Sequence, residues 1–226
     1  MPDSRQALNV VPVVVADSQV SRPLAPAYLE DLVRALGSLD LACLNRMADL
    51  LSACDESGRT VFCVGNGGSA TTASHLATDL VKLTAVSDAH RRVRAIALTD
   101  SIAAMTAAAN DIGFDEVFVE QVRPWLQPGD VVVGISTSGR SPNVLRLLEY
   151  ARLRGAVILA ITGVNGIPMQ KWAAETLVIE SDSVQRIEDI SLVAVHLLCL
   201  MVRQRREAAV GTFLALSSVV RSQEYV

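Results

Sequence analysis

Two kinds of hydrophobic pattern alternate along this chain. Short, nearly unbroken apolar runs at Thr60–Val64, Arg94–Leu98, Val131–Ile135, Ala156–Ile161 and Thr176–Ile179 each end in small, polar or glycine-rich residues and read as strands. Between them, apolar residues recur at helical spacing. This predicts helices over Ala70–Leu83, Ser101–Ala109, Asp115–Leu126, Pro142–Arg154 and Ile167–Ala174, then a long one over Val184–Gln204. Two further helices are expected between Pro26 and Ser57. Their stripes are Leu29, Leu32, Val33 and Leu36, then Leu44, Met47, Leu50 and Leu51. Strands alternating with helices imply an α/β fold: a doubly wound parallel sheet of about five strands, flanked by helices, with an N-terminal helical extension. The chain divides into a proline-bearing leader (1–24), N-terminal helices packing on the domain or a neighbouring subunit (25–58), the α/β domain (59–206) and a tail (207–226) of mixed pattern.

Ligands of such sheets bind beyond the C-terminal strand ends, and two strand ends here carry unusual loops. Residues Asp130 to Ser141 run from a buried strand into Ser136, Thr137, Ser138, Gly139 and Ser141, with Pro142 opening the next helix. Free backbone N–H groups and clustered hydroxyls suit a phosphate. Ordinary helix capping is the plainer reading, but one cap accounts for one hydroxyl and this loop offers Ser136, Thr137, Ser138 and Ser141. The first strand ends in Gly65-Asn66-Gly67-Gly68-Ser69. That loop matches neither the P-loop nor the dinucleotide fingerprint, and a tight turn alone would account for its glycines.

Composition narrows the class. Half of the 226 residues are apolar, the net charge is −4, and the basic residues are scattered, which argues against nucleic-acid binding as the main task. Cys43, Cys54, Cys63 and Cys199 show no CxxC spacing and read as reduced core thiols of a cytoplasmic protein. No secretory signal and no bilayer-spanning run is apparent.

Candidate chemistry lies on two helices. His75 and Asp79 stand one turn apart and share a face, a spacing that suits a divalent metal or an acid/base pair, and equally an unrelated surface pair. The long helix carries Glu188 and His196. His196 lies within an apolar run and needs a partner, so a satisfied core histidine is the plain alternative. Glu188 and His196 are eight residues apart, roughly 12 Å of helical rise, so both would have to lean inward to share one ion.

The two loops, His75, Ala97-Leu98-Thr99-Asp100, Ala109-Asn110-Asp111-Ile112-Gly113-Phe114 and Arg186-Ile187-Glu188-Asp189 ahead of His196 together resemble the sugar isomerase (SIS) fold, and within it the phosphoheptose isomerases. That family converts sedoheptulose 7-phosphate to an aldoheptose 7-phosphate. The resemblance covers about residues 27–206 and marks 59–206 as the SIS domain. It implies a homotetramer with active sites shared between subunits, and one zinc ion per site. It places the phosphate cradle on Ser69, Ser136, Thr137, Ser138 and Ser141, and puts Asn66, Gly67, Asp100, Lys82 and Gln185 among the substrate-binding positions. The zinc positions fall on His75, Asp79, Glu188 and His196, the base on Asp79 or Glu188, and the acid on His196. This chain departs from familiar members by Asp79 in place of Glu and Glu188 in place of Gln. Lys82 is the nearest cation to an expected Arg, and Gln185 stands where Asp is usual. These departures keep two alternatives open: the same chemistry on an eight-carbon ketose phosphate, and a non-catalytic sugar-phosphate or partner-binding module.

Overall fold

The protein is described by a computed structural model covering residues 23–86 and 91–223, with side chains through residue 210. Two helices, α1 (Leu24–Gly37) and α2 (Leu41–Glu56), precede β1 (Thr60–Val64) and α3 (Gly68–Lys82). Then come β2 (Arg94–Ala97), α4 (Ile102–Asp111), a 3₁₀ turn at Phe114–Glu116, α5 (Val117–Val122) and β3 (Val131–Ser136). The chain closes with α6 (Pro142–Leu153), β4 (Val157–Gly163), α7 (Ile167–Gln170), β5 (Glu175–Ile179) and α8 (Val184–Gln223). Of the expected leader, residues 1–22 lie outside the described residues.

All strand pairs are parallel, in the order β2-β1-β3-β4-β5. Successive side chains point to opposite faces, so the valine-rich central strands feed two cores. Val61, Cys63, Val131, Val133 and Ile135 meet α2, α3 and α8, while Phe62, Val64, Val132, Ile158 and Ala160 meet α4 to α7. This explains why β1 and β3 are apolar without alternation: both faces are covered. Edge strand β2 leaves Ile96 half exposed. The helical extension is integral to the first core. Leu44, Met47 and Leu51 of α2 are at most 1% exposed, and each such burial contributes about 1.5–3 kcal/mol.

Three helices end elsewhere than the pattern predicts. The expected Asp115–Leu126 helix reduces to the 3₁₀ turn and α5, because Pro124 has no N–H for the next helical bond. The expected Ile167–Ala174 helix stops at Gln170; the Ala174 N–H bonds the Ile158 carbonyl at 2.8 Å and draws the chain into the sheet. Instead of ending near Gln204, α8 continues to Gln223, there being no proline to stop it. Among the described residues no helix is long and apolar enough to cross a membrane.

The strand order reverses direction between β1 and β3, which makes their C-terminal ends the switch point. Both singled-out loops emerge there, side by side.

Candidate active site

The serine loop after β3 is shaped largely by its own hydroxyls. Ser136 Oγ accepts the Gly139 N–H at 3.2 Å and lies 3.1 Å from Ser141 Oγ, and Ser138 Oγ accepts the Arg140 N–H at 3.3 Å. Accepting from backbone leaves the Ser138 O–H free to donate, and of the Ser136–Ser141 pair one O–H donates within the pair and the other is left free. Gly139 has φ +62°, and a Cβ there would lie 2.4 Å from the Gly166 Cα, so only glycine closes this turn over the β4–α7 loop. A cavity of about 340 Å³ opens between this loop and the start of α8. Thr137, Ser138 and Ile187 line it, with Arg140 and Asp182 bringing opposite charges.

The first loop turns into α3 at Gly67, with Ser69 buried in the opening turn. Both ends of the Asn66 amide are paired with Asn143, at 2.9 Å each way. A Cβ on Gly68 would lie 2.3 Å from Glu188 Oε1, so the Glu188 carboxylate rests directly on the first turn of α3. Among the described residues no hydrogen bond or ion pair engages that carboxylate. Ile187, beside it in sequence, lines the serine-loop cavity.

Further along the paired helices α3 and α8, His75 and His196 meet with Nε2 atoms 2.9 Å apart and ring planes at 73°. Asp79 Oδ2 lies 3.5 Å from the first imidazole and 3.9 Å from the second. The three ligand atoms all fall within 4.8 Å of one another. Two imidazoles and one carboxylate form a donor set that fits a catalytic divalent metal, with positions left open. His196 therefore has partners, and His75 and Asp79, one turn apart on α3, both face it. The cluster lies on an open flank, the two His side chains being 44% and 42% exposed.

Of the four expected metal positions, then, the fold of one chain gathers His75, Asp79 and His196 and keeps Glu188 apart. Helix geometry is the reason: both helices run away from the loops together, and eight residues of α8 separate the two contacts by roughly 12 Å. Asp100, at the end of β2, accepts the Ser74 hydroxyl. Lys82 lies at the far end of α3, where it shares a surface groove of about 660 Å³ with Asp100, and it is not brought to the serine loop. Gln185 is exposed in the first turn of α8, its Oε1 accepting from Ser183 Oγ at 3.3 Å. Sequence reasoning missed Asn143 and Thr162. Thr162 Oγ1 is buried beneath Gly139 without a hydrogen-bond partner among the described residues. The signal for Asn143 was a polar residue between Pro142 and an apolar stretch. No comparable signal marks Thr162.

Comparison with known proteins follows this geometry. A family model described as the SIS domain matches residues 27–163. A phosphoheptose isomerase of Bradyrhizobium sp. (strain BTAi1) is 39% identical over 184 residues, covering 81% of this chain and 92% of that protein. One from Solidesulfovibrio magneticus is 44% identical over 149 residues, 65% of this chain and 70% of its own. Among solved structures, phosphoheptose isomerase GmhA from Neisseria gonorrhoeae superposes with a TM-score of 0.73 at 30% identity, over 79% of this chain and 96% of that one. With the two loops at the switch point and the His–Asp–His cluster behind them, these likenesses establish that the chain belongs to the SIS-domain family and, within it, to the phosphoheptose isomerases, so that it is an isomerase.

Proposed function

We propose that the substrate is sedoheptulose 7-phosphate, converted to an aldoheptose 7-phosphate through a cis-enediol. The observation that carries this reading is the convergence of His75, Asp79 and His196, drawn from two helices, behind a hydroxyl-rich loop at the switch point. The names of the relatives supply the substrate class.

In this reading Ser136, Thr137, Ser138, Ser141 and Ser69 hold the phosphate, and the Asn143 N–H in the first turn of α6 adds a backbone donor. That grip sets register at a distance from the reacting carbons. Asn66, Gly67, Asp100 and Gln185 contact the sugar hydroxyls. Lys82 is reserved for a substrate held by a neighbouring subunit, since it faces away from the serine loop of its own chain. Of the two carboxylates expected as base, this reading assigns the role to Glu188 in place of Asp79, a role specific to this chain because familiar members carry Gln at that position. Asp79 already faces two imidazoles, whereas the Glu188 carboxylate is unengaged and rests on the first turn of α3. Glu188 takes the proton from the carbon next to the carbonyl, the C–H pair becomes the enediol double bond and the carbonyl π pair moves onto its oxygen, which takes up a proton. Glu188 then delivers its proton to the former carbonyl carbon as the neighbouring hydroxyl gives up its own and becomes the new carbonyl.

His75, Asp79 and His196 would hold one divalent ion, zinc by family expectation, with Glu188 reaching it only across a subunit contact. When bound, such an ion supplies Lewis-acid polarisation of the carbonyl. His196 was also expected as the acid for the sugar oxygens. Its Nε2 faces His75, so acid work and ion binding compete for one atom, and the metal content of the purified protein decides between them.

A homotetramer with shared sites belongs to the same proposal, supported by the open flank on which the His cluster stands. A cytoplasmic setting is supported by four free, buried cysteines. Burial pushes Cys54 and Cys199 up to about 12, far from the reactive range. The test is turnover of six-, seven- and eight-carbon ketose phosphates by zinc-loaded protein, with Glu188→Gln and His196→Ala alongside. Preference for the seven-carbon substrate with both variants dead is expected; near-normal rates in both variants would overturn the assignment.

A further inference from the structure

We propose that Asn143 is a positioning residue for this reaction, its buried amide clasping Asn66 so as to fix the spacing between the phosphate loop and the Glu188 end of the site. The proposal rests on the phosphate and base roles given above. Asn143 is the second residue of α6 and 1% exposed. An amide buried so fully needs partners for both its ends. Its Oδ1 accepts from Asn66 Nδ2 and from the Val144 N–H, each at 2.9 Å, and its Nδ2 donates to Asn66 Oδ1 at 2.9 Å. Val144 fixes the orientation: a flipped Asn143 would turn its NH₂ towards that backbone donor, so both amides are locked the way they stand.

The clasp sits where the sheet no longer ties the two loops. Strand pairing between β1 and β3 ends at Val64↔Gly134, while β3 continues with β4 as far as Ser136↔Thr162. Among the described residues no other hydrogen bond joins Gly65–Ser69 to the stretch Thr137–Asn143. Asn66 is followed by Gly67 and then Gly68, on which Glu188 rests. A short covalent and packed path therefore runs from the serine loop through Asn143, Asn66 and Gly68 to the base. Each of the two amides keeps further hydrogen-bonding capacity, so Asn66 can still meet a sugar hydroxyl.

The serine loop is closed by its own bonds, so loss of the clasp leaves phosphate binding in place and loosens the geometry of the chemical step. Asn143→Leu keeps the side chain's branching and heavy-atom count and removes the clasp. It is expected to lower kcat on the order of 10²-fold, the cost of a misplacement of about 1 Å. Inorganic phosphate should inhibit it as it inhibits the wild type, within about twofold. In an Asn66→Ala background the same substitution should change kcat by less than about twofold, because the pair acts as one unit. Equal losses in both backgrounds, or an unchanged kcat in Asn143→Leu, would overturn the proposal.

Amide exchange tests the clasp even if the substrate assignment fails. Inorganic phosphate should slow exchange in residues 66–69 and 136–141 of the wild type, but only in 136–141 of Asn143→Leu. Persistent protection of 66–69 in the variant refutes the coupling, whatever the true substrate proves to be.

Discussion

Gly68→Ala probes the contact on which the base assignment rests. A Cβ at this position would lie 2.3–2.4 Å from three atoms of the Glu188 carboxyl group, closer than non-bonded atoms approach. The obstructing atoms are the end of a flexible side chain, so Glu188 swings away and the backbone keeps its path. Stability should hold or rise, since alanine is favoured over glycine in a helix by up to about 1 kcal/mol. Catalysis should fall. A base displaced by about 1 Å costs on the order of 10²-fold in kcat, or about 2.7 kcal/mol of activation free energy. Steady-state turnover of sedoheptulose 7-phosphate, paired with thermal unfolding, reads both quantities. A variant that melts at or above the wild-type temperature with a kcat near 1% of normal fits the reasoning. A kcat within about threefold of wild type refutes it, because Glu188 would then not need its place on α3.

Other consequences follow from single contacts. Thr162→Val removes a buried hydroxyl without a partner and should stabilise by about 1 kcal/mol, read as a higher urea midpoint at constant m. His75→Ala should abolish metal retention by the purified protein while Glu188→Gln preserves it, by metal analysis after dialysis against excess apo-buffer. The buried thiols of Cys54 and Cys199 are pushed up from 9.0 to about 12, so folding favours their protonated forms. That stability is fully present below pH 9, is lost as pH rises towards 12, and keeps both thiols inert to a thiol reagent until urea unfolds the chain. Glu175 is held below the usual carboxylate range by Arg46. Stability from this pair is present above about pH 4.5 and lost as pH falls below it, so Arg46→Met should flatten the acid limb of a urea-midpoint profile.

The sheet was legible because its strands are buried on both faces, and an unbroken run such as Val131–Ile135 permits few other readings. The two loops were legible because glycine and serine mark strand ends in any parallel sheet. Pro124 was passed over as a helix stop, since Pro128 and Gly129 formed the louder signal a few residues on. Spacing and hydropathy do not encode the meeting of His75 and His196, which 121 positions separate; only the family resemblance put them on one ion. The same gap explains Glu188. In sequence it reads as one more ligand, while the parallel run of α3 and α8 sets it beside Gly68. Asn143 was hidden by its neighbours, because a lone asparagine in a helix's first turn reads as ordinary end chemistry.

The central claim is that Glu188 exchanges the carbon-bound proton of a heptulose phosphate gripped by the serine loop. Zinc-loaded wild type and Glu188→Gln, each incubated with sedoheptulose 7-phosphate in D₂O and followed by NMR, test it most directly. The account predicts aldoheptose 7-phosphate carrying deuterium at C2 from the wild type, and neither product nor exchange from the variant. Deuterium exchange at the wild-type rate in Glu188→Gln would contradict it.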